Sequence, residues 1–397
     1  MRRGARMKVV VAGVLSLPPF SPGTAWDRLQ YVLGLRSLGH EVLFVEEVEA
    51  EWCRDRDGRR CAYEQSANRE RFCQTMTDFG LLERSCQLYE GGRATAGLGP
   101  TELAAALEGA DLLINISGHA KSDLILGAVG RRAYLDQDPV YTQLWVAEYG
   151  ADLGLDHHDV LFTVGNNIGT EASDIPTAGL RWNPTLPPVA LDEWTPTKPA
   201  SGRFTTVASW GRYGDLSYRG RRFRGKRSEF RRFADLPART GRELEVTLAN
   251  RDAYPDDAMR LEQGGWTITD AAALGDLPAY RRYVAASGAE IGITKGAYVE
   301  GRAGWIGDRS CHYLASGRPV LLQSTGLEHT VPTGRGLVTF ADLEQAVEGV
   351  EEIERDHAAH CRAARGLAEE VFDARRVLAE LVETAMTAAP ERTEVSP

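Results

Sequence analysis

The chain has 397 residues, with 46 basic and 56 acidic side chains and a formal net charge of −10. That acidic balance excludes a sequence-independent nucleic-acid binder, which needs a net basic surface to displace phosphate counterions. Hydrophobic residues at 43% and charged residues at 26% exclude wholesale disorder and predict about two to three domains with real cores.

Six cysteines (Cys53, Cys61, Cys73, Cys86, Cys311 and Cys361) show no CxxC pair and no zinc-type spacing. In a chain this long they predict free thiols in a reducing cytoplasm rather than a disulfide framework. Arg2, Arg3 and Arg6 precede the apolar run Val9–Leu17, as in a secretory signal. That run contains Gly13 and stops at Pro18-Pro19 without a small-residue cleavage site, so a cytoplasmic location is expected. No stretch approaches the ~20 apolar residues of a membrane-spanning helix.

In chain order, Lys8–Val14 reads as a buried parallel strand, a short β-branched run ended by turn residues. Thr24–Leu38 follows with Leu29, Val32, Leu33 and Leu35 at helical spacing, closed by Gly39, and Glu41–Glu46 is a second strand. This strand–loop–helix–strand unit opens a doubly wound α/β domain. The segment 49–98 is less patterned, with a helix over Gln65–Phe79. Then come helix Glu102–Leu107, strand Asp111–Ile116, helix 122–129, strand Ala133–Leu135, helix 140–148 and strand Val160–Val164. His157-His158, before that last strand and without a carboxylate at ligand spacing, reads as a surface pair.

Asn183–Gly202 is proline-rich and fits neither a central strand nor an intact helix, so it reads as a linker. Beyond it the alternation restarts: strand Phe204–Ser209, helix Arg227–Ala238, strand Glu243–Leu248, helix Asp276–Ser287 and strand Ala289–Thr294. Helix Asp308–Ser316 and strands Pro319–Gln323 and Leu337–Phe340 follow. Leu343–Met386 is helical with a break near Phe372-Asp373. The expected division is residues 1–190, a linker 191–202, a second domain 203–372, and a crossover helix and tail 373–397. Two α/β units joined this way place a ligand cleft at the carboxyl ends of their strands.

Gly304–Glu328 (GWIGDRSCHYLASGRPVLLQSTGLE) carries the most chemistry. A glycine-bearing loop enters a helix at Gly307-Asp308-Arg309-Ser310, where free N–H groups and the dipole favour an anion by roughly 0.3–1 kcal/mol when exposed. Arg309 and Ser310 add donors suited to phosphate oxygens, and His312 is one helical step on, within reach of a ribose hydroxyl. Gln323, Thr325 and Glu328 fall at the cleft rim, with groups suited to sugar hydroxyls. The bland alternative is that Asp308 only caps its helix and Arg309 is a solvated charge. Lys295, just past a strand, faces the same cleft or stays in solvent.

The loop–helix followed by LASGRPVLL and a downstream acidic residue resembles the nucleotide-sugar site of GT-B glycosyltransferases. YLDQDP, GWIGDRSCHYLASGRPVL and PTGRGLVTF resemble bacterial members of that group. The resemblance implies two Rossmann-like doubly wound domains facing a cleft, with a carboxyl-terminal helix crossing back to the first. It implies that Trp266 stacks on the nucleobase and that Arg212 and Lys226 meet the diphosphate; the arginine-rich run Arg219–Arg232 is otherwise a solvated face or a patch for an acidic partner. His312 stands where the group's ribose-binding glutamate is usual, which departs from the pattern. A histidine after the first strand, common in inverting members, is missing from Val14–Trp26. Asp27, His119 and Asp138 are then the candidate bases, each with a capping or turn role as its alternative. Asp136 and Asp138 form a DxD look-alike that belongs to a different glycosyltransferase fold, so no metal is expected.

The expected function is transfer of a sugar from a UDP, TDP or GDP donor to a small or medium acceptor. A secondary metabolite is one acceptor class compatible with the alanine-, glycine- and arginine-rich composition. No tightly bound cofactor, nucleic acid or membrane partner is expected. A sugar-nucleotide epimerase of the same architecture and a non-catalytic nucleotide-sugar binder are the alternatives. A dinucleotide oxidoreductase is disfavoured, because GVLSLPPFSPGT lacks GxGxxG.

Overall fold

Runs such as Val9-Val10-Val11 and Leu112-Leu113-Ile114 have no polar alternation, hence no face for water, and belong at the centre of parallel sheets covered on both sides. A computed structural model, which describes residues 6–17, 21–211 and 213–390, places them there. The first sheet contains β1 (Lys8–Ala12), β2 (Glu41–Val48), β3 (Ser85–Tyr89), β4 (Ala94–Gly97), β5 (Leu112–Ile116), β6 (Arg132–Asp136), β7 (Val160–Thr163) and β8 (Trp182–Pro184). Its order is β4-β3-β2-β1-β5-β6-β7-β8, parallel except for β4 against β3.

The second sheet begins with β9 (Phe204–Ser209). A separate antiparallel hairpin follows, β10 (Leu216–Tyr218) with β11 (Arg221–Phe223). Then come β12 (Leu244–Ala249), β13 (Thr267–Asp270), β14 (Ala289–Gly292), β15 (Val320–Gln323) and β16 (Leu337–Phe340). The order β13-β12-β9-β14-β15-β16 is parallel throughout. Both sheets reverse direction of growth beside their first strand, between β1 and β5 and between β9 and β14. Crevices at such switch points are where doubly wound folds bind ligands.

Several elements differ from the sequence expectation. Strands β4, β8 and β13 and the β10–β11 hairpin lie at sheet edges or outside the sheets, where half-exposed residues dilute the hydrophobic pattern, and β3, inside the sheet between β2 and β4, alternates polar Ser85 and Gln87 with apolar residues. The helix expected over Arg227–Ala238 is interrupted. It becomes Lys226–Phe230, a 3₁₀ turn at Arg231–Phe233 and Leu236–Thr240, because Pro237 has no N–H to continue the ladder and instead starts a new helix. The arginine-rich run is not simply a solvated face: Arg221 pairs with Asp174, Arg222 with Asp215, Arg224 with Glu229 and Glu300, Arg231 with Asp257 and Arg232 with Glu229. Of the histidine pair, His158 is buried, its Nε2 accepting from Asn115 Nδ2 at 3.0 Å and its Nδ1–H donating to the Gly154 carbonyl at 2.8 Å.

The chain crosses between the two lobes twice, at one place. Val189, in the segment leaving β8, forms a parallel bridge with Asp373, its N–H donating to the Phe372 carbonyl at 2.8 Å and its carbonyl accepting from Ala374 at 2.9 Å. Beyond that bridge, helix Ala374–Thr387 packs on helix Pro22–Ser37 of the first lobe. Gly34 is the point of closest approach: a Cβ there lies 2.5 Å from Leu378 Cδ1 and 2.7 Å from Ala374 Cβ. Overpacking of this kind costs roughly 1–3 kcal/mol, more than the few tenths that valine gains over glycine in helix propensity. Gly34→Val is therefore expected to lower the unfolding free energy by about 1–3 kcal/mol in urea denaturation. An unchanged midpoint contradicts this packing of the returning helix.

Candidate functional site

The carboxyl ends of the two sheets face each other and are closed upon one another by polar contacts. From the first lobe, Asn167 Nδ2 donates to the carbonyls of Arg302 (2.9 Å) and Gly326 (3.0 Å), and Ser173 Oγ donates to the Gly301 carbonyl (2.6 Å). Gly304 admits Asn167 because it has φ +68° and no Cβ, which would sit 2.7 Å from the amide carbon. Trp26 Nε1 donates to the Leu277 carbonyl at 3.1 Å. The hairpin strap of the second lobe lies against the first: Tyr141 OH donates to the Gly214 carbonyl (3.2 Å) and Tyr149 OH to the Ser217 carbonyl (3.1 Å).

On the second-lobe side of this seam, helix Asp308–Ala315 begins after Gly307. Strands β9 and β14 pair only at Ala289↔Phe204 and Glu290↔Thr205 and then part. Arg309 fills the gap, Nε donating to Glu290 Oε1 (2.5 Å) and Nη1 to the Val207 carbonyl (2.5 Å). Burial opposes its charge, but Glu290 more than compensates and holds the guanidinium protonated. Arg309 is thus part of the sheet's own construction rather than a loose phosphate donor. The Asp308 carboxyl is pushed up by burial, against the pull of Arg309 and of Arg28 from the opposite lobe. Ser310 Oγ is buried without a hydrogen-bond partner among the described residues. Lys226, at the start of its helix, is half-buried and makes no hydrogen bond or ion pair among the described residues. Burial and the neighbouring positive charges of Arg309 and Lys295 push its ammonium well below the usual lysine range.

Lys295 and Asp138 meet across the seam at 2.5 Å, with side chains only 18% and 24% exposed. Tyr298 OH donates to the same Asp138 oxygen (2.9 Å), Tyr213 OH to the other (3.0 Å), and Lys295 Nζ also donates to Tyr298 OH (2.8 Å). The ammonium lies 4.2, 5.0 and 5.1 Å from the rings of Tyr213, Tyr298 and Tyr141, a cation–π surround. Asp136 is not available as the first half of a DxD pair: its carboxylate accepts from Thr142 Oγ1, Gln143 Nε2, Thr163 Oγ1 and the Asp138 N–H. Asp27 pairs with Arg28 and accepts from Gln137 Nε2, so it ties its helix to the loop after β6. His119 is half-buried on the tight loop that follows β5.

The remaining sequence candidates divide. Gln323 Nε2 donates to Glu229 while its Oε1 accepts the Thr294 N–H, and Thr325 Oγ1 donates to the Trp305 carbonyl, so both brace loops around the seam. Glu328 is exposed on the turn Leu327–His329, two residues from the Asn167 contact at Gly326. Trp266 is not brought to the seam. It is 3% exposed in the second lobe's core, Nε1 donating to the Phe233 carbonyl. Arg212 lies outside the described residues. Sequence reading missed Tyr298, although three residues after Lys295 is helical spacing. It also missed Glu290, although a carboxylate inside an apolar strand needs a partner.

His312 is fully buried between the lobes, its ring stacked on Trp194 with centroids 4.2 Å apart. Gln30 Oε1 accepts the Ala190 N–H, so its Nε2 donates to His312 Nε2 (3.2 Å), and His312 Nδ1–H points to Tyr280 OH (3.4 Å). Burial, helped by Arg309, lowers its pKa from 6.5 to about 3. A histidine depressed in the folded state stabilises above its unfolded pKa and loses that contribution as pH falls toward the folded one. Between pH 6.5 and 5 the loss is about 2 kcal/mol, at 1.36 kcal/mol per pKa unit. His312→Gln is expected to flatten the pH dependence of unfolding by this amount across that window. Parallel profiles for variant and wild type contradict a neutral buried His312.

No family model and no curated protein matches the chain. Solved structures do. HepE from Anabaena, in complex with UDP-glucose, superposes with a TM-score of 0.56 at 13% identity, covering 96% of this chain and 99% of its own. Sucrose-phosphate synthase from Thermosynechococcus elongatus gives 0.54 at 12% identity, covering 97% and 100%. An O-GlcNAc transferase mutant from Thermobaculum terrenum gives 0.50 at 12%, covering 97% of this chain and 68% of its own. Two switch-point sheets closing on a common seam, with a returning carboxyl-terminal helix, identify the architecture of this chain as the GT-B fold.

Proposed function

We propose that the protein is a glycosyltransferase that holds a nucleoside diphosphate sugar between its lobes and passes the sugar to a hydroxyl of a small acceptor. The observation that carries this reading is Lys226. It is a half-buried ammonium beside Lys295, Arg309 and the start of helix Asp308–Ala315, with no partner among the described residues. A lysine set beside two other cationic side chains, and without an ion-pair partner among the described residues, is suited to an anionic ligand that restores its charge, and a diphosphate supplies that charge and acceptor oxygens. The GT-B architecture supports the same class, since HepE was crystallised with UDP-glucose in that fold.

In this reading the acceptor hydroxyl attacks the anomeric carbon as the carbon–oxygen bond to the diphosphate breaks. The electron pair leaves with the nucleoside diphosphate, whose growing charge Lys226, Lys295 and the N–H groups at Gly307–Ser310 stabilise. Asp138, within the same seam, takes the hydroxyl proton. Glu328, exposed beside Gly326, is placed to accept from sugar or ribose hydroxyls. His312 has no part in ribose recognition here, because Gln30, Tyr280 and Trp194 occupy its two nitrogens and one ring face. Among the described residues no helix is long and apolar enough to cross a membrane.

The test begins with calorimetric titration of UDP, TDP and GDP and of their sugars, followed by assay for nucleotide release and for epimerised sugar. Binding of one nucleotide series with slow release of its diphosphate is expected. Lys226→Met is expected to weaken that binding about 10–100-fold, as follows from ~1.5–3 kcal/mol for a hydrogen bond to a charged group. Epimer formation, or no binding of any of the three series, contradicts the proposal.

A further inference from the structure

Asp138 and Lys295 belong to opposite lobes, and each has a reason to be somewhere else. Lys295 follows β14 at the switch point, beside Lys226, which has no partner among the described residues. Asp138 follows β6, on the lobe where an acceptor would approach. In the structure they neutralise one another, with the Tyr298 hydroxyl touching both and Tyr213 holding the second carboxylate oxygen. A half-buried pair of this kind is costly to break one-sidedly, because a carboxylate or ammonium is then left without compensation. The cost falls sharply when a stronger anion replaces the carboxylate on the lysine.

We propose that the Asp138–Lys295 pair is a latch displaced by the donor: a diphosphate arriving beside Lys226 takes Lys295 over and releases the Asp138 carboxylate from the ammonium, still oriented by Tyr298 and Tyr213. The inference rests on the transferase reading above and adds an order of events. The base is capped while the donor site is empty and becomes competent only when it is filled. Tyr298 and Tyr213 are positioning residues in this scheme. Their hydroxyls keep the Asp138 oxygens directed after the lysine departs, and Tyr213 belongs to the segment leading into the hairpin strap that spans the seam.

A double-mutant cycle on nucleotide affinity separates this latch from other roles. The probe is whichever of UDP, TDP or GDP binds the wild type most tightly, measured by calorimetry on the full chain. Asp138→Asn removes the competitor and is expected to tighten nucleotide binding at least fivefold while transferase turnover drops more than 100-fold. In a Lys295→Met background the same substitution is expected to leave affinity within twofold, because there is no lysine to release. Tyr298→Phe, which removes one hydroxyl from the pair, gives the same direction at about twofold and serves if Asp138→Asn does not fold. Unchanged or weaker binding by folded Asp138→Asn overturns the latch. Tightening that persists with Lys295→Met overturns it too, since simple removal of a negative charge then accounts for the effect. If the wild type binds none of the three nucleotides, the transferase reading fails together with the latch; if it binds one and the cycle shows no coupling, only the latch fails.

Discussion

The polar groups at the carboxyl ends of the two sheets find their partners in the opposite lobe, and the rest of the architecture follows from that constraint. Strand ends and helix starts carry N–H and carbonyl groups that neither sheet satisfies internally. Asn167 answers the carbonyls of Arg302 and Gly326, Gln30 answers His312, and Lys295 answers Asp138. An apolar core that runs through both lobes, from Val9 and Trp26 to Tyr280 and Leu314, is joined at the seam by these hydrogen bonds and ion pairs. Contacts of that kind exchange readily with a polar ligand. The aromatic cluster of Trp26, Trp194, Tyr280 and His312 lies beside the linker, where it gives the lobes a fixed packing point.

Two buried charges show how the second lobe keeps its switch point open without collapsing. Glu290 sits inside β14 and Arg309 on the facing helix, and together with the Val207 carbonyl they span the place where β9 and β14 separate. The start of helix Asp308–Ala315 lies beside them, near Lys226, which has no hydrogen-bond or ion-pair partner among the described residues. In the first lobe Glu46 plays an equivalent part. Fully buried at β2, it accepts the N–H groups of Leu15 and Ser16 and the Gln87 amide, fixing the beginning of the loop after β1. Burial pushes the Glu46 carboxyl up, while those donors hold it down. Neither carboxylate needs a role in the chemistry to be required.

Much of this architecture is legible in the sequence, because central parallel strands are short uninterrupted apolar runs. Val9–Val11, Leu112–Ile116 and Val320–Leu322 announce themselves, and Phe204–Ser209 matches its strand end for end. Ser85–Tyr89, one strand in from an edge, and Thr267–Asp270, at an edge, do not, since they mix polar with apolar residues and owe their conformation to pairing. The site is less legible. Lys295 and Asp138 are named by their places after strands, and Lys226 by the resemblance and its place at the start of a helix. The partners that set their behaviour lie far off in sequence, Asp138 and Lys295 being 157 positions apart. Trp266 illustrates the opposite failure: a tryptophan after a glycine is compatible with a base-stacking position, but its indole N–H finds the Phe233 carbonyl and the ring fills the core. His312 reads as a ribose contact by position and is instead a neutral bridge between lobes.

Whether the seam receives a diphosphate is decided by a crystal structure of the protein with a nucleoside diphosphate sugar. The two phosphoryl groups are expected between Lys226 and the N–H groups at Gly307–Ser310, with Lys295 turned from Asp138 toward the phosphate oxygens. A nucleotide bound outside the seam, or bound within it with the phosphates remote from Lys226, contradicts the account.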